Sequence, residues 1–445
     1  MNLPLQFIEQ MKAILGNEYS DFESSLHDKL PISIRINPFK TENDLILSDP
    51  VAWCTNAYYL NERPSFTLDP FFHAGHYYVQ EAASMFIDFI LKSIELPIHA
   101  KILDMCSAPG GKSTLMLANL SQDTLLHCHE FEPLRANVLR QNIERWGYSN
   151  TIITQGSLDK LERSDIKYDL ILIDAPCSGE GMFRKEKEAI NQWNQNKINN
   201  CVHMQNQILR IADKLCAENG YIIYSTCTYN TKENEAITNP YLENEKYTSV
   251  NIKNDFSICE PNSKNFTYRF FPHKSKGEGF TVSVLKKQEA IKFSENSNYV
   301  KKTKIRPSNN TTHFEWLSNP DAFSIIGLKD SLYAISNFWA DTIQHLMQIA
   351  PIYYAGIPIG QFKGKDFYPA HGLSQSNHFS KNIELSDLEF NQAINFLKSN
   401  TPEIAVKQKS KWAIASYRSA NLGWLKSNSN GLKNYFPKNQ RIISF

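Results

Sequence analysis

Long apolar runs are missing from this 445-residue chain: no stretch approaches 18 consecutive apolar residues, which speaks against a helical membrane span. Strong charge of either sign is missing too. The formal net charge is +1, so any nucleic-acid surface must be a local patch. Cysteines are sparse, 8 in all, with no Cys-x-x-Cys pair, which argues against a disulfide scaffold. His127-Cys128-His129 and Cys201-Val202-His203 are the only metal-like clusters. Adjacent residues of a strand point to opposite faces, so no metal site is expected. The N-terminus carries Glu9 within its apolar stretch and does not resemble a signal peptide. No internal repeat is visible. These absences leave a soluble, cytoplasmic globular protein with no membrane partner.

What is present supports a sizeable core: 42% hydrophobic and 21% charged residues, in a length suited to roughly three domains of about 150 residues. Leu5, Ile8, Met11 and Leu15 fall on one face at helical spacing. Pro31 to Asn37 alternates apolar and polar residues and reads as a half-buried strand with Arg35 on its polar side, either solvated or touching an RNA phosphate. The aromatics of Gly75–Met85 either pack beneath a later loop or contact a base, packing being preferred. From Lys101 to about Lys287 strands alternate with helical patterns, the signature of a doubly wound α/β sheet. Strands are expected at Lys101–Asp104, Thr124–Glu130, Thr151–Thr154, Tyr168–Asp174, Gly220–Ser225 and Phe280–Leu285, with helices at Pro133–Trp146 and Met204–Cys216. Residues 288–312 form a polar linker containing the basic run Lys301–Arg306. Beyond it, short strands and basic-aromatic stretches, Leu422–Lys426 and Leu432–Lys438, suit RNA stacking and phosphate contact.

In such sheets ligands gather at the carboxyl ends of strands, and the chemistry of this chain is concentrated there. The first core strand ends in Asp104-Met105-Cys106-Ser107-Ala108-Pro109-Gly110-Gly111-Lys112-Ser113, a small-residue turn leading into a helix N-terminus. It misses the Walker A pattern, because Cys106 stands where the first glycine belongs. A nucleoside-triphosphate enzyme would also leave two cysteines without a task. Glu130 ends the second strand, near the position of an acid that grips ribose hydroxyls. Asp174-Ala175-Pro176-Cys177 ends the fourth, and Ser225-Thr226-Cys227-Thr228 the fifth. Two cysteines and an aspartate thus converge on one sheet edge.

These motifs resemble the signatures of the Sun-type (NSUN) RNA cytosine-5 methyltransferases. Arg269-Phe270-Phe271-Pro272-His273 through Phe280 is similar to that family's closing strand motif, and the tail from Gly423 to Lys438 resembles that of the bacterial RsmF branch, which modifies small-subunit ribosomal RNA. The resemblance implies S-adenosylmethionine as cofactor, held by Cys106, Ser107, Ala108, Pro109, Gly110, Gly111 and Lys112, with Glu130 on the ribose, Arg135 nearby and Asp174 beside it. It implies Cys227 as the nucleophile, Cys177 as the group for enzyme release, and Asp174 on the cytosine edge. Lys112 either activates Cys227 or orients Asp174 or the cofactor. The family's adenine-binding acid after the third strand is absent, since Gln155-Gly156-Ser157 offers none unless Asp159 serves.

The expected organisation is a small N-terminal α+β RNA-binding domain (1–70), a Rossmann-like methyltransferase domain (71–287), the linker (288–312) and a C-terminal β-containing, PUA-like RNA-binding domain (313–445). The expected partner of this monomer is ribosomal RNA or the small ribosomal subunit. The alternatives are a tRNA cytosine-5 methyltransferase and a non-catalytic RNA-binding assembly factor.

Overall fold

The computed structural model describes residues 2–256, 265–289, 316–380, 382–401, 411–428 and 431–443. The basic run Lys301–Arg306, and the linker from residue 290 onward, lie outside the described residues. The first four strands, β1 (Ile32–Ile36), β2 (Asp49–Pro50), β3 (Ala57–Leu60) and β4 (Tyr77–Val79), form an antiparallel sheet in the order β2-β3-β1-β4. A central sheet follows, built from β5 (Lys101–Asp104), β6 (Leu125–Glu130), β7 (Thr151–Gln155), β8 (Tyr168–Asp174), β9 (Cys216–Thr226), β10 (Tyr247–Ser249), β11 (Thr267–Phe270) and β12 (Phe280–Lys287). The parallel heart runs β7-β6-β5-β8-β9, with β12 antiparallel at the far side of β9.

These strands exist because both faces of the sheet are covered. Ile102, Leu103, Leu126, Ile152, Ile153 and Leu170 to Ile173 are buried, the near-continuous apolar runs of a parallel sheet sandwiched by helices. The helices Gly111–Asn119, Pro133–Trp146 and Gln195–Leu215 make the crossovers. The winding reverses after β7: β8 returns to the other flank of β5, so the crevice at the carboxyl ends of β5 and β8 is the topological switch point where ligands bind in such sheets. The last helix starts at Gln195, earlier than its apolar stripe suggested, because Asn194 caps it by accepting from the Lys197 amide at 2.9 Å.

The C-terminal part carries β13 (Phe323–Leu328), β14 (Ser331–Ser336), β15 (Ile352–Ala355), β16 (Ile357–Lys363) and β17 (Asp366–Pro369), then β18 (Leu385–Asp387), β19 (Trp412–Tyr417), β20 (Ala420–Asn428) and β21 (Gly431–Asn434). Two four-stranded sheets result, β13-β14-β16-β17 and β18-β19-β20-β21. Strand β15 instead joins the central sheet, antiparallel to β7. The sheets therefore do not follow the divisions at residues 70 and 313: β4 belongs with the N-terminal strands, and β15 closes the catalytic sheet. The N- and C-terminal modules share a core in which Ile34, Phe71 and Tyr77 pack with Phe396, Leu425 and Phe436.

Three expectations are corrected by this packing. The buried face of the first helix is Phe7 and Met11, whereas Leu5 is 77% exposed. Trp424 and Phe436 are core residues, 1% and 5% exposed, and present no stacking platform to RNA. Strand β1 is buried on both faces, because the catalytic module covers the side that carries Arg35. Arg35 is 1% exposed and is neither solvated nor available to a phosphate. Its guanidinium donates to the Gly111 and Thr114 carbonyls (3.3 Å each), to Thr114 Oγ1 (2.7 Å) and to Gln80 Oε1 (3.2 Å), and lies 4.6 Å from the Trp146 ring centroid.

That latch predicts a stability effect. Hydrogen bonds to a charged group contribute about 1.5–3 kcal/mol each, and truncation leaves buried acceptors behind. Arg35→Ala is expected to cost about 3–5 kcal/mol of unfolding free energy in urea titrations; a loss under about 1 kcal/mol would show that the latch is not structural.

Candidate active site

The loop after β5 is shaped by its residues. Gly110 adopts a left-handed φ of 109° that a side chain would strain, and it caps the helix Gly111–Asn119. Ser107 braces the loop to β6: its Oγ donates to the Asp104 carbonyl (2.8 Å) and accepts from the His129 amide (3.0 Å). Asn142 donates to the Pro109 carbonyl at 2.8 Å, and Arg135 donates to the Ala108 carbonyl at 2.7 Å. Cys106 faces the same edge, where burial first and then the neighbouring carboxylates Asp104, Asp174 and Glu130 push its thiol well up. It remains a neutral thiol.

Three carboxylates surround this loop. Glu130 is 4% exposed; its oxygens accept from the Ala108 amide (3.3 Å) and the Glu132 amide (3.0 Å), with Arg135 at 3.9 Å. Asp174, at the end of β8, accepts from Ser225 Oγ (3.0 Å) and pairs with Lys112 Nζ at 2.8 Å. Burial opposes the charge on Lys112, but Asp174, Cys227 and Asp104 outweigh it and lift the ammonium above its ordinary value. Lys112 therefore grips Asp174 directly, with the Phe280 ring centroid 5.2 Å away. Asp104 is the residue whose part the sequence left open. Its Oδ2 accepts from Ser113 Oγ at 2.7 Å, while the buried Oδ1, beside the Cys106 amide, accepts no well-formed hydrogen bond among the described residues. Burial raises its carboxyl to about 7, Asp174 adding to the rise and Ser113 and Lys112 opposing it.

The residues present fit a zwitterionic sulfonium cofactor. The start of a helix favours the amino-acid carboxylate, and the orphan oxygen of Asp104 favours the ammonium group. Past β7, Gln155 Nε2 donates to the Phe131 carbonyl (2.8 Å) and Ser157 Oγ donates to Asp159 Oδ2 (2.8 Å). Both side chains are thereby engaged locally.

The two remaining loops bring the sulfurs together: Cys177 Sγ lies 3.1 Å from Cys227 Sγ. The contact with Cys227, and then burial, push the Cys177 thiol well above its ordinary range, so Cys177 keeps its proton. Buried acids hold this approach. Glu180, 1% exposed, accepts from the Tyr229 and Asn230 amides (2.8 and 3.0 Å), Asn230 Nδ2 (3.1 Å), Trp193 Nε1 (3.1 Å) and Gln10 Nε2 (2.9 Å). Glu233 accepts from the Ser178 amide and hydroxyl, Gln205 Nε2 and Asn230 Nδ2. The Gly181 amide donates to the Cys227 carbonyl at 2.9 Å. Gly181 and Gly279 lie back to back: a Cβ on either would come within 2.5 Å of the other's backbone. Glu180 and Glu233 were not singled out in the sequence. The only hint was the Glu of Cys177-Ser178-Gly179-Glu180-Gly181, because an acid between two glycines in a loop gives no periodic signal.

An amide in place of Glu180 accepts through one oxygen only and turns an N–H2 toward the donors. Glu180→Gln is expected to destabilise the fold by about 2–4 kcal/mol in chemical denaturation, and a variant as stable as the native chain would show that the loops are held by other contacts.

Comparison with known proteins follows the same three modules in order. Residues 3–82 match the N-terminal domain of 16S rRNA methyltransferase RsmF, residues 93–286 match 16S rRNA methyltransferase RsmB/F, and residues 381–442 match the methyltransferase RsmF PUA domain. The ribosomal RNA small subunit methyltransferase F of Psychromonas ingrahamii is 29% identical over 468 residues, covering 98% of this chain and 96% of that protein. Its namesake from Pectobacterium atrosepticum is 33% identical over 313 residues, covering 65% of this chain and 64% of that protein, and the match to the one from Erwinia tasmaniensis likewise spans 64% of its length. The fold is similar to that of a methyltransferase homolog protein from Pyrococcus horikoshii, with a TM-score of 0.55 at 23% identity over 63% of this chain and 94% of that chain. S-adenosylmethionine is the methyl donor of such enzymes. With the strand order, the paired cysteines and three successive modules in agreement, the chain belongs to the RsmB/F family of 16S rRNA methyltransferases.

Proposed function

We propose that this chain forms 5-methylcytosine in small-subunit ribosomal RNA, with Cys227 as nucleophile and Cys177 serving release. The observation that carries this reading is the pair of sulfurs 3.1 Å apart beside the Lys112–Asp174 ion pair, at the carboxyl edge of the sheet.

Carbon 5 of cytosine is a poor nucleophile. A bond from Cys227 Sγ to carbon 6 pushes electron density onto carbon 5. S-adenosylmethionine, when bound, supplies the methyl group that carbon 5 takes. A base then removes the carbon-5 proton, the ring double bond re-forms, and the carbon 6–sulfur bond breaks to free Cys227. The contact with Cys227, and then burial, hold the proton on Cys177, and the attack is assigned to the Cys227 sulfur. Asp174, fixed by Ser225 and Lys112, is placed to meet the polar edge of the ring. Ring N3 has only a lone pair, so that contact requires a proton on one partner, and Lys112 is the proton-bearing group at hand.

The methionine end of the cofactor would rest on Cys106 to Lys112 and Asp104, and its ribose on Glu130 with Arg135 alongside. Every group invoked comes from one chain, so a monomer suffices. A target base inside a helix must be extruded or already unpaired, which favours a loop of ribosomal RNA. Among the described residues no helix is long and apolar enough to cross a membrane, and a cytoplasmic enzyme acting on ribosomal RNA or the small subunit is the reading adopted.

Two experiments bear on this. Cys227→Ala should abolish methylation, whereas Cys177→Ala should accumulate a covalent RNA adduct that survives a denaturing gel. Absence of the adduct with a confirmed substrate would sink the two-cysteine assignment. Bisulfite sequencing of ribosomal and transfer RNA from a deletion strain locates the substrate, and a lost signal confined to tRNA would overturn the ribosomal reading. A third test concerns Asp104. Its folded pKa of about 7 lies above that of an unfolded aspartate, so ionising it costs stability progressively from about pH 4 to pH 7. Asp104→Asn should raise the melting temperature of the cofactor-free protein at pH 8, but not at pH 4, while weakening S-adenosylmethionine binding in calorimetry. Undiminished affinity would remove Asp104 from the cofactor site.

A further inference from the structure

A second concavity lies beside the cofactor loop but shares none of its residues. Its volume is about 320 Å³, within the size range of small-ligand sites. It opens between the N-terminal module and the helix Pro133–Trp146, and its walls include Arg63, Phe66, Phe72, Tyr78, Asn142 and Arg145. Among the described residues no aspartate or glutamate lines it.

The chemistry of the walls is one-sided. Arg63 lies over the Phe66 ring (5.4 Å to the centroid) and Arg145 over Phe72 (4.9 Å). Six other arginines pair with carboxylates, whereas among the described residues these two form no ion pair. Among the described residues Arg145 Nη1 reaches Asn142 Oδ1, at 3.4 Å. The buried guanidinium of Arg35 stands just behind this wall, and so does the part-buried Lys40, whose ammonium is pushed down to about 7 by burial and then by Arg145. Lys40 Nζ donates to the Arg145 carbonyl at 2.9 Å and has no acidic partner among the described residues, and Arg35 covers the Trp146 ring. In a chain of net charge +1, such a concentration of unpaired cation is local. Trp146 also lines the cavity; it is 1% exposed, and its indole Nε1 has no hydrogen-bond partner among the described residues. A buried donor without an acceptor costs about 1–3 kcal/mol.

Guanidinium groups held against ring faces, with no carboxylate beside them among the described residues, match one ligand chemistry: a phosphodiester with an attached planar base. We propose that this cavity is a subsite for a single-stranded nucleotide of the RNA substrate, away from the cytosine that is methylated. Phosphate oxygens meet Arg63 and Arg145, and the base lies against Tyr78 and Phe72. The site adjoins the cofactor loop through its own walls. Asn142 bonds Pro109, and the Tyr78 ring lies 3.4 Å from where a Cβ on Gly111 would stand. RNA seated there would fix the register of the strand entering the active site.

This inference rests on the RNA reading above, but its test reads binding, so it can fail independently of methyl transfer. The full chain is titrated with a fluorescein-labelled single-stranded RNA of mixed sequence at several salt concentrations. Arg63→Ala, an exposed position, and Arg63→Ala/Arg145→Gln are compared with the native chain, with melting temperatures confirming folding. The expected result is a loss of RNA affinity of about five-fold or more, and a salt slope smaller by about one for each arginine removed. Calorimetry should show S-adenosylmethionine affinity unchanged. RNA carrying 4-thiouridine should cross-link to the peptides holding Phe72 or Tyr78. Native-like affinity and slope in the Arg63→Ala chain would overturn the proposal, as would cross-links that map only elsewhere. Cytidine monophosphate provides the remaining arm: tight binding of the free nucleotide, with RNA affinity untouched by the variants, would assign the cavity to a small ligand and also overturn it.

Discussion

Two buried carboxylates, Glu180 and Glu233, hold the site together. Cys177 follows one strand and Cys227 the next, and nothing in a parallel sheet requires the loops beyond two strand ends to meet. Glu180 reaches from the first loop to the Tyr229 and Asn230 amides of the second, and Glu233 reaches back to Ser178. Each acid is satisfied by several donors, which is the condition under which a buried charge is tolerable. Burial holds the Glu233 carboxyl above its ordinary range despite those donors. The cost of burying these groups is met by the geometry they impose, a sulfur-to-sulfur approach of 3.1 Å.

The same logic fixes the cofactor loop from the other side. Arg35 comes from the N-terminal module, yet its hydrogen bonds end on Gly111 and Thr114, the first turn of the helix that follows the loop. Strand β15, from beyond the linker, closes the open edge of the catalytic sheet at β7. The N- and C-terminal modules meet through Phe71 and Tyr417, whose ring centroids are 5.5 Å apart. The modules at the two ends of the chain are thus anchored to the sheet that bears the cysteines.

What could be read from the sequence follows from which interactions are local. The strands Lys101–Asp104 and Tyr168–Asp174 and the helix Pro133–Trp146 stood at the expected residues, because apolar runs and turn residues encode them nearby. Arg35 was misread because alternation places it on a polar face, and only the approach of a distant helix buries that face. Trp424 and Phe436 looked like stacking residues, but composition cannot tell a ring in a small core from one on a surface. The register of β15 with β7 depends on residues some 200 positions apart in the chain and left no local trace. Asp104 was visible as a strand-end acid; its lone oxygen was not, since that depends on which donors fail to reach it.

Three thiols gather on this edge, and their surroundings set them apart. Cys106 is half-buried; desolvation first, and then the carboxylates Asp104, Asp174 and Glu130, resist an anion there and keep its sulfur protonated. Cys177 is half-buried too, and its proton is retained first by the contact with Cys227 and then by desolvation. Lys112, the cation of the site, counts Cys227 among the groups that sustain its charge, after Asp174. The asymmetry arises from loop placement rather than residue type: of three chemically identical side chains, the sheet edge places one against acids and brings the other two to 3.1 Å from each other. The acids that draw the loops together are what set this arrangement.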